Sequence, residues 1–203
     1  MGTFLLNTPI ATVSNESIGG INALFTGTTA VCITGLTIFD TATTFSLFGQ
    51  AVILFLIQIG SLGILTMSTM IFLMLGRRIS LKERLIMQQS LNQFSLGGIV
   101  GLTRNIFIVT LAIEALGGLL LSLKLVPQFG WAKGIYYSIF HSVSAFCNAG
   151  FDLMGDFSSF SAYTGDLYIN LVIIGLVLVG SLGFTVILEI RKYPLQFKKV
   201  VAT

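Results

Sequence analysis

Apolar residues fall into three long runs and two short ones, and run length sets the expected elements. Residues 41–76 carry no charge, residues 96–123 are charged only at Arg104 and Glu114, and residues 167–188 are uncharged throughout. A helix needs roughly 20 apolar residues to cross a bilayer core. Spans are therefore predicted over residues 48–76, 99–125 and 166–190. Residues 21–34 and 135–146 are apolar but too short to cross. Stretches of about 10–14 apolar residues suit buried or re-entrant helices, predicted here over 21–31 and 133–146. A glycine-containing segment without helical pattern follows each, over 32–37 and 147–152. A polar loop and then a span come next in both cases.

This order repeats because the sequence repeats. The run from Phe25 to Leu36 is echoed from Phe140 to Phe151 at a constant offset of 115 residues, as Ala30 to Ala145, Cys32 to Cys147 and Gly35 to Gly150 show. Gly60-Ser61-Leu62-Gly63 returns as Gly180-Ser181-Leu182-Gly183 at an offset of 120. The chain reads as two copies of one unit, and internal repeats decide architecture before any local feature does. Residues 1–76 form a first unit without its opening span. Residues 99–190 form a complete second unit of span, short helix, irregular segment and span. Residues 1–20 read as an ordered polar loop outside the membrane, with no signal peptide. Residues 77–98 connect the units and 191–203 form a tail. Within the connector, Ser80 and Glu83 have capping-box spacing. Leu81, Leu85, Met87 and Leu91 give partial helical periodicity, so a short surface helix is expected there. It serves as a connector or as a docking site for a soluble partner.

Composition sharpens the class. Charged residues make up 9% and hydrophobic residues 54%, against roughly 25% charged in an ordinary soluble domain. The expectation is an all-α integral membrane protein. Placement of charge gives its orientation. Arg77, Arg78, Lys82 and Arg84 follow the first span; Arg191, Lys192, Lys198 and Lys199 follow the third; Arg104 lies near the start of the second and can snorkel to its boundary. Lys and Arg gather in short cytoplasmic loops. Residues 77–98 and 191–203 are thus expected inside, and both Cys/Gly segments open outward. Beside three spans, these basic residues are read as topogenic, not as a nucleic-acid surface. Glu16, Asp40, Asp152, Asp156 and Asp166 fall outside, with Lys124 and Lys133. Such carboxylates concentrate cations at a pore mouth or simply populate exposed loops.

The chemistry lies in the irregular segments. Non-helical backbone at membrane depth survives only against buried protein or a watery cavity. Carbonyls freed after a short helix can replace the water of a dehydrated cation, and the negative end of the helix favours positive charge there. Glycine lets the backbone turn so that carbonyls aim inward, which gives Gly35 and Gly150 a mechanical role; the plainer alternative is that each ends a helix. The Gly-Ser-Leu-Gly pairs are read first as close helix packing, and otherwise as a bend or a widening. Glu114, inside a span, is a functional candidate by default, but a structural hydrogen bond to a neighbouring helix is the competing reading. Glu114→Gln is expected to cost assembly more than selectivity. His141, the single histidine, lacks a second ligand at metal spacing and takes a packing or hydrogen-bonding role. Cys32 and Cys147 are expected to stay unbridged. No Walker loop and no G-x-S-x-G occurs, and nothing supports an enzyme.

Residues 23–37 (Ala-Leu-Phe-Thr-Gly-Thr-Thr-Ala-Val-Cys-Ile-Thr-Gly-Leu-Thr), Phe48-Gly49-Gln50, Leu56 to Gly63 and Phe140 to Asp152 resemble the Trk/Ktr/HKT cation transporters, above all their KtrB-type bacterial subunits. The resemblance covers nearly the whole chain. It implies a potassium-channel-like transporter of four span–pore helix–span units around one pore, of which about two are present here. It implies a selectivity filter with carbonyls of Ile33, Thr34, Asn148 and Ala149 facing the ion, Gly35 and Gly150 as filter glycines, and Cys32 and Cys147 at its inner end. A glycine at the first filter goes with potassium in this family and serine with sodium. Potassium uptake across the bacterial plasma membrane is thus expected, with no cofactor beyond the transported ion. The alternatives are a sodium-selective or sodium-coupled relative, or a non-conducting assembly subunit. Further implied partners are the rest of a longer chain or a second copy, a homodimeric full-length protein, a cytosolic nucleotide-binding regulatory subunit, and membrane lipid.

Overall fold

The computed structural model describes residues 1–63 and 99–182. The connector 77–98, the tail 191–203, Gly183 and the later ends of the spans predicted over 48–76 and 166–190 lie outside the described residues, and with them most of the basic residues used for orientation. The described part is helical: α1 (Gly2–Leu6), α2 (Gly20–Val31), α3 (Thr41–Thr44), α4 (Leu47–Leu62), α5 (Ile99–Phe129), α6 (Trp131–Phe146) and α7 (Leu167–Ser181). Single 3₁₀ turns stand at Pro9–Ala11 and Ser161–Tyr163.

Helix α2 begins one residue before the predicted 21–31, and α6 two before the predicted 133–146. Helix α5 runs four residues past the predicted 125, straight through Pro127. A proline this close to a helix end removes only its own hydrogen bond, and the following amide at Gly130 still reaches the Val126 carbonyl at 2.9 Å. Among the described residues one helix, Thr103–Phe129, is long and apolar enough to cross a membrane, at a mean hydropathy of 2.3. Helix α4 stops at Leu62 because Gly63 leaves the helical region (φ 79°, ψ 142°). The span predicted over 48–76 is therefore not one unbroken helix.

Residues 1–20 are not a loop throughout. Gly2–Leu6 is helical, and Leu6 is fully buried. A β-carbon added to Gly2 would lie 2.7 Å from Leu56, and one added to Gly117 would lie 2.7 Å from Leu176. Leu6 and Leu121 are equally buried. At an offset of 115, α1 thus stands where residues 117–121 of α5 stand. Five residues are too few to show periodicity, which is why the sequence hid this helix.

The two units share one core. Leu6, Phe45, Ile53 and Ile57 from the first half pack with Phe140, Phe146, Phe151 and Leu153 from the second. Helices α5 and α6 fold back on each other at Gly130 (φ 82°). They approach so closely that a β-carbon on Gly134 would sit 2.8 Å from the Leu125 carbonyl oxygen. The starts of α3, α4 and α7 are capped by side chains. Asp40 Oδ1 accepts from the amides of Ala42 and Thr43 at 2.9 and 3.0 Å, and its Oδ2 accepts from Phe157 at 2.9 Å. Asp166 Oδ1 caps α7 through the amides of Tyr168 and Ile169, while its Oδ2 pairs with Lys124 at 2.9 Å. Ser46, the cap of α4, also donates to the Ile10 carbonyl at 2.6 Å.

Candidate functional site

Helices α2 and α6 end in the same way. After α2, the Cys32 amide reaches Thr28 O at 2.8 Å and the Thr34 amide reaches Thr29 O at 3.0 Å. After α6, the Cys147 amide reaches Val143 O at 2.9 Å and the Ala149 amide reaches Ser144 O at 2.8 Å. A bond that spans five residues past the helix end is the mark of the Schellman turn, which needs a left-handed residue just before its donor. Ile33 (φ 56°) and Asn148 (φ 57°) fill that position. Gly35 (φ 69°) and Gly150 (φ 75°) turn left-handed again two residues later.

The sequence reading gave the left-handed backbone to the glycines alone. The residue that ends each helix is instead isoleucine or asparagine. Asparagine tolerates this conformation, but a β-branched residue there is a clear outlier and carries about 1–3 kcal/mol of strain.

The two loops meet. A β-carbon built on Gly35 would lie 2.7 Å from Ala149 O and 3.3 Å from the Gly150 Cα; one built on Gly150 would lie 3.4 Å from the Gly35 Cα. Main chain touches main chain with nothing between. Behind each loop, a longer apolar helix, α4 or α7, presses on the end of the short helix. A methyl group on Gly60 would overlap the Val31 carbonyl oxygen, and one on Gly180 the Phe146 carbonyl oxygen. Close packing is thus what these glycines provide. Asn148 also touches α7, where Ser181 Oγ donates to its Oδ1 at 3.4 Å.

The segment leaving the second loop is pinned from α6. Ser144 Oγ donates to Phe151 O at 2.6 Å, and His141 Nε2 accepts from the Leu153 amide at 3.0 Å. An amide can only donate, so Nε2 is unprotonated and Nδ1 carries the proton that it gives to Tyr137 O at 2.6 Å. His141 is a neutral strut. Asp152 accepts from the Met154 amide and from Ser159 Oγ, which orders the next turn.

The structural hydrogen bond between Glu114 and a neighbouring helix, one of the two readings of that residue, is present, with partners the sequence did not name. Gln58 of α4 donates to both carboxylate oxygens of Glu114 on α5, at 3.0 and 2.9 Å. The Cys147 thiol lies 3.5 Å from Gln58 Oε1 and 3.7 Å from Glu114 Oε1. Glu114 is 5% exposed. Glu114 stood out as ionisable within an apolar run, but nothing in the run says which helix faces which, and Gln58 was not singled out. Cys147 is buried and Cys32 exposed, and both are free thiols.

A family model described as TrkH, cation transport protein, matches residues 3–193. The chain is 45% identical to the Ktr system potassium uptake protein B of Bacillus subtilis over 95% of its own length and 42% of that protein. It is 42% identical to the potassium/sodium uptake protein NtpJ of Enterococcus hirae, over 98% of its length and 44% of that protein. It is 39% identical to the Ktr system potassium uptake protein B of Vibrio alginolyticus, over 93% and 41%. The chain thus spans less than half the length of these relatives. A match over nearly the whole chain places it in the TrkH cation transport protein family.

Proposed function

We propose that the chain forms part of a potassium-uptake path across the bacterial plasma membrane. Carbonyl oxygens of Ile33, Thr34, Asn148 and Ala149 stand in for the ion's hydration shell, Gly35 and Gly150 are the points around which they turn, and Cys32 and Cys147 bound the inner end. The observation that carries this reading is the contact between two loops with the same alternation of left-handed residues, at Gly35 and Gly150. In an extended strand successive carbonyls point to opposite sides; residues of opposite φ sign break that alternation and let neighbouring carbonyls share a side. The carboxyl ends of α2 and α6 add their negative partial charge. The names of the relatives from Bacillus subtilis and Vibrio alginolyticus support potassium as the ion.

Two loops do not enclose a cation. The remaining coordination comes from further segments of a longer chain or from a second copy, and the working assembly is a homodimer with a cytosolic nucleotide-binding regulator. Both loops face outward, with residues 77–98 and 191–203 in the cytoplasm. A second reading, sodium transport beside potassium, is favoured by the similarity to the Enterococcus hirae potassium/sodium uptake protein.

The test is uptake of potassium and sodium in cells lacking their own uptake systems, expressing the complete gene. Gly35→Ser places a β-carbon 2.7 Å from Ala149 O in a left-handed backbone. It is expected to lower the preference for potassium over sodium by about tenfold, since carbonyl number and field set selectivity. Unchanged preference at normal membrane abundance would remove Gly35 from the path.

A further inference from the structure

A carboxylate buried among apolar helices is costly unless its oxygens are matched. Among the described residues Glu114 has no basic neighbour to match it. Arg104 is exposed and sits ten residues away along α5, about 15 Å at the rise of a helix. The ion pair among the described residues, Lys124 with Asp166, is elsewhere. Instead the Gln58 amide covers both oxygens, and the Cys147 thiol approaches the same group. Ser142 Oγ donates to the Glu114 main-chain oxygen at 2.7 Å, so the same turn of α5 is fastened to α6 twice. Three side chains from three helices therefore close a ring. Its third member is the residue that caps α6, immediately before left-handed Asn148.

We propose that Glu114, held by Gln58, is a positioning residue for the second loop: through Cys147 it fixes the Asn148 and Ala149 carbonyls against a helix of the other half. This rests on the potassium-path reading above. Glu114 reaches no ion in this role and acts only through Cys147. The sequence reading expected Glu114→Gln to cost assembly more than selectivity. Contact with the residue that opens the loop reverses that order. A carboxylate accepts two hydrogen bonds from one amide and still faces the thiol. A glutamine in its place presents an amide nitrogen to the Gln58 nitrogen or to the thiol, and the ring opens.

The test compares Glu114→Gln, Gln58→Leu and the exchanged pair Gln58→Glu with Glu114→Gln, in the complete gene, at matched membrane abundance. Each single change is expected to raise KM for potassium about tenfold and to narrow potassium preference by a similar factor, as befits one lost hydrogen bond to a charged group. The exchanged pair keeps one carboxylate and one amide and is expected to return both values to within about threefold of the parent. Alkylation of Cys147 by a small thiol reagent, read peptide by peptide in isolated membranes, is expected to rise about tenfold in the single variants and to fall back in the exchanged pair. Parental KM, preference and thiol reactivity in the single variants would overturn the proposal. So would loss of protein from the membrane that the exchange repairs with preference and reactivity unmoved, because that outcome means packing alone. A parent protein that does not discriminate potassium from sodium sinks the path reading, and thiol reactivity alone then decides whether the ring holds the loop.

Discussion

At the scale of single residues, the site depends on groups that hold main chain. His141 is the clearest. Its ring spends one nitrogen on the Tyr137 carbonyl and the other on the Leu153 amide. Replacing it with phenylalanine keeps the aromatic stack on Phe160, whose ring centroid is 4.8 Å away, but leaves the Leu153 amide without an acceptor. An unsatisfied buried donor costs about 1–3 kcal/mol. His141→Phe is expected to lower the thermal stability of the purified full-length protein by that amount, with no shift toward sodium. A melting temperature equal to the parent's would mean that Leu153 finds another acceptor. A hydrogen-bonding role for His141 was legible in the sequence. Its partner was not, since Leu153 becomes a neighbour only after the chain turns at Asn148 and Gly150. Ile33 was also illegible as a helix-ending residue, because propensity places isoleucine anywhere but in a left-handed turn.

At the scale of elements, the short helices α2 and α6 were legible to within two residues, since apolar length and the following glycine both mark them. Their seating was half legible. Small residues at Gly60 and Gly180 announced a close approach, but not that the neighbour would be the last carbonyl of a short helix. Gly180→Ala puts a methyl group into the Phe146 carbonyl oxygen. Overpacking of this kind costs about 1–3 kcal/mol, and the space can be regained only if α7 moves away from the second loop. The expected outcome is a several-fold loss of potassium uptake at normal membrane abundance, checked beside Gly175→Ala, where an added β-carbon meets nothing within 4 Å. Equal uptake by the two variants would detach α7 from the loop. The end of α4 at Gly63 was offered by the sequence only as one alternative, because a glycine within an apolar run is compatible with continuous helix.

At the scale of the whole molecule, the halves are joined in three layers: Asp40 to Phe157 in the outer loops, Gly35 to Gly150 in the middle, Gln58 to Glu114 and Cys147 below. The repeat predicted two similar halves; none of these joints could be read from it, since pairing between distant segments leaves no periodic trace. The outer joint responds to acid. Partial burial pushes the Asp40 carboxyl up, but amide donors from Phe157, Thr43 and Ala42 outweigh it and hold the group below its ordinary value. A carboxylate lowered in the folded state adds stability that is complete above the unfolded pKa of about 4 and is lost as pH falls through the lower folded value. Asp40→Ala is expected to cost about 1 kcal/mol near neutral pH, the usual worth of such a cap, and progressively less as pH falls from neutral through the lowered folded value. Melting curves of parent and variant across that range check it; a constant difference at every pH would assign the loss to something other than charge.

Where Gly35 meets Gly150, neither partner has a rotatable group to offer. Most contacts between parts of a protein include some slack, because a side chain can swing to absorb a misfit. This seam has none, so a displacement in one half arrives in the other undamped. Such a joint keeps its tolerance only if everything around it is stiff, and the bare backbone approaches at Gly60, Gly134 and Gly180 supply that stiffness. The molecule trades adjustability for fidelity at the seam we propose for ion selection.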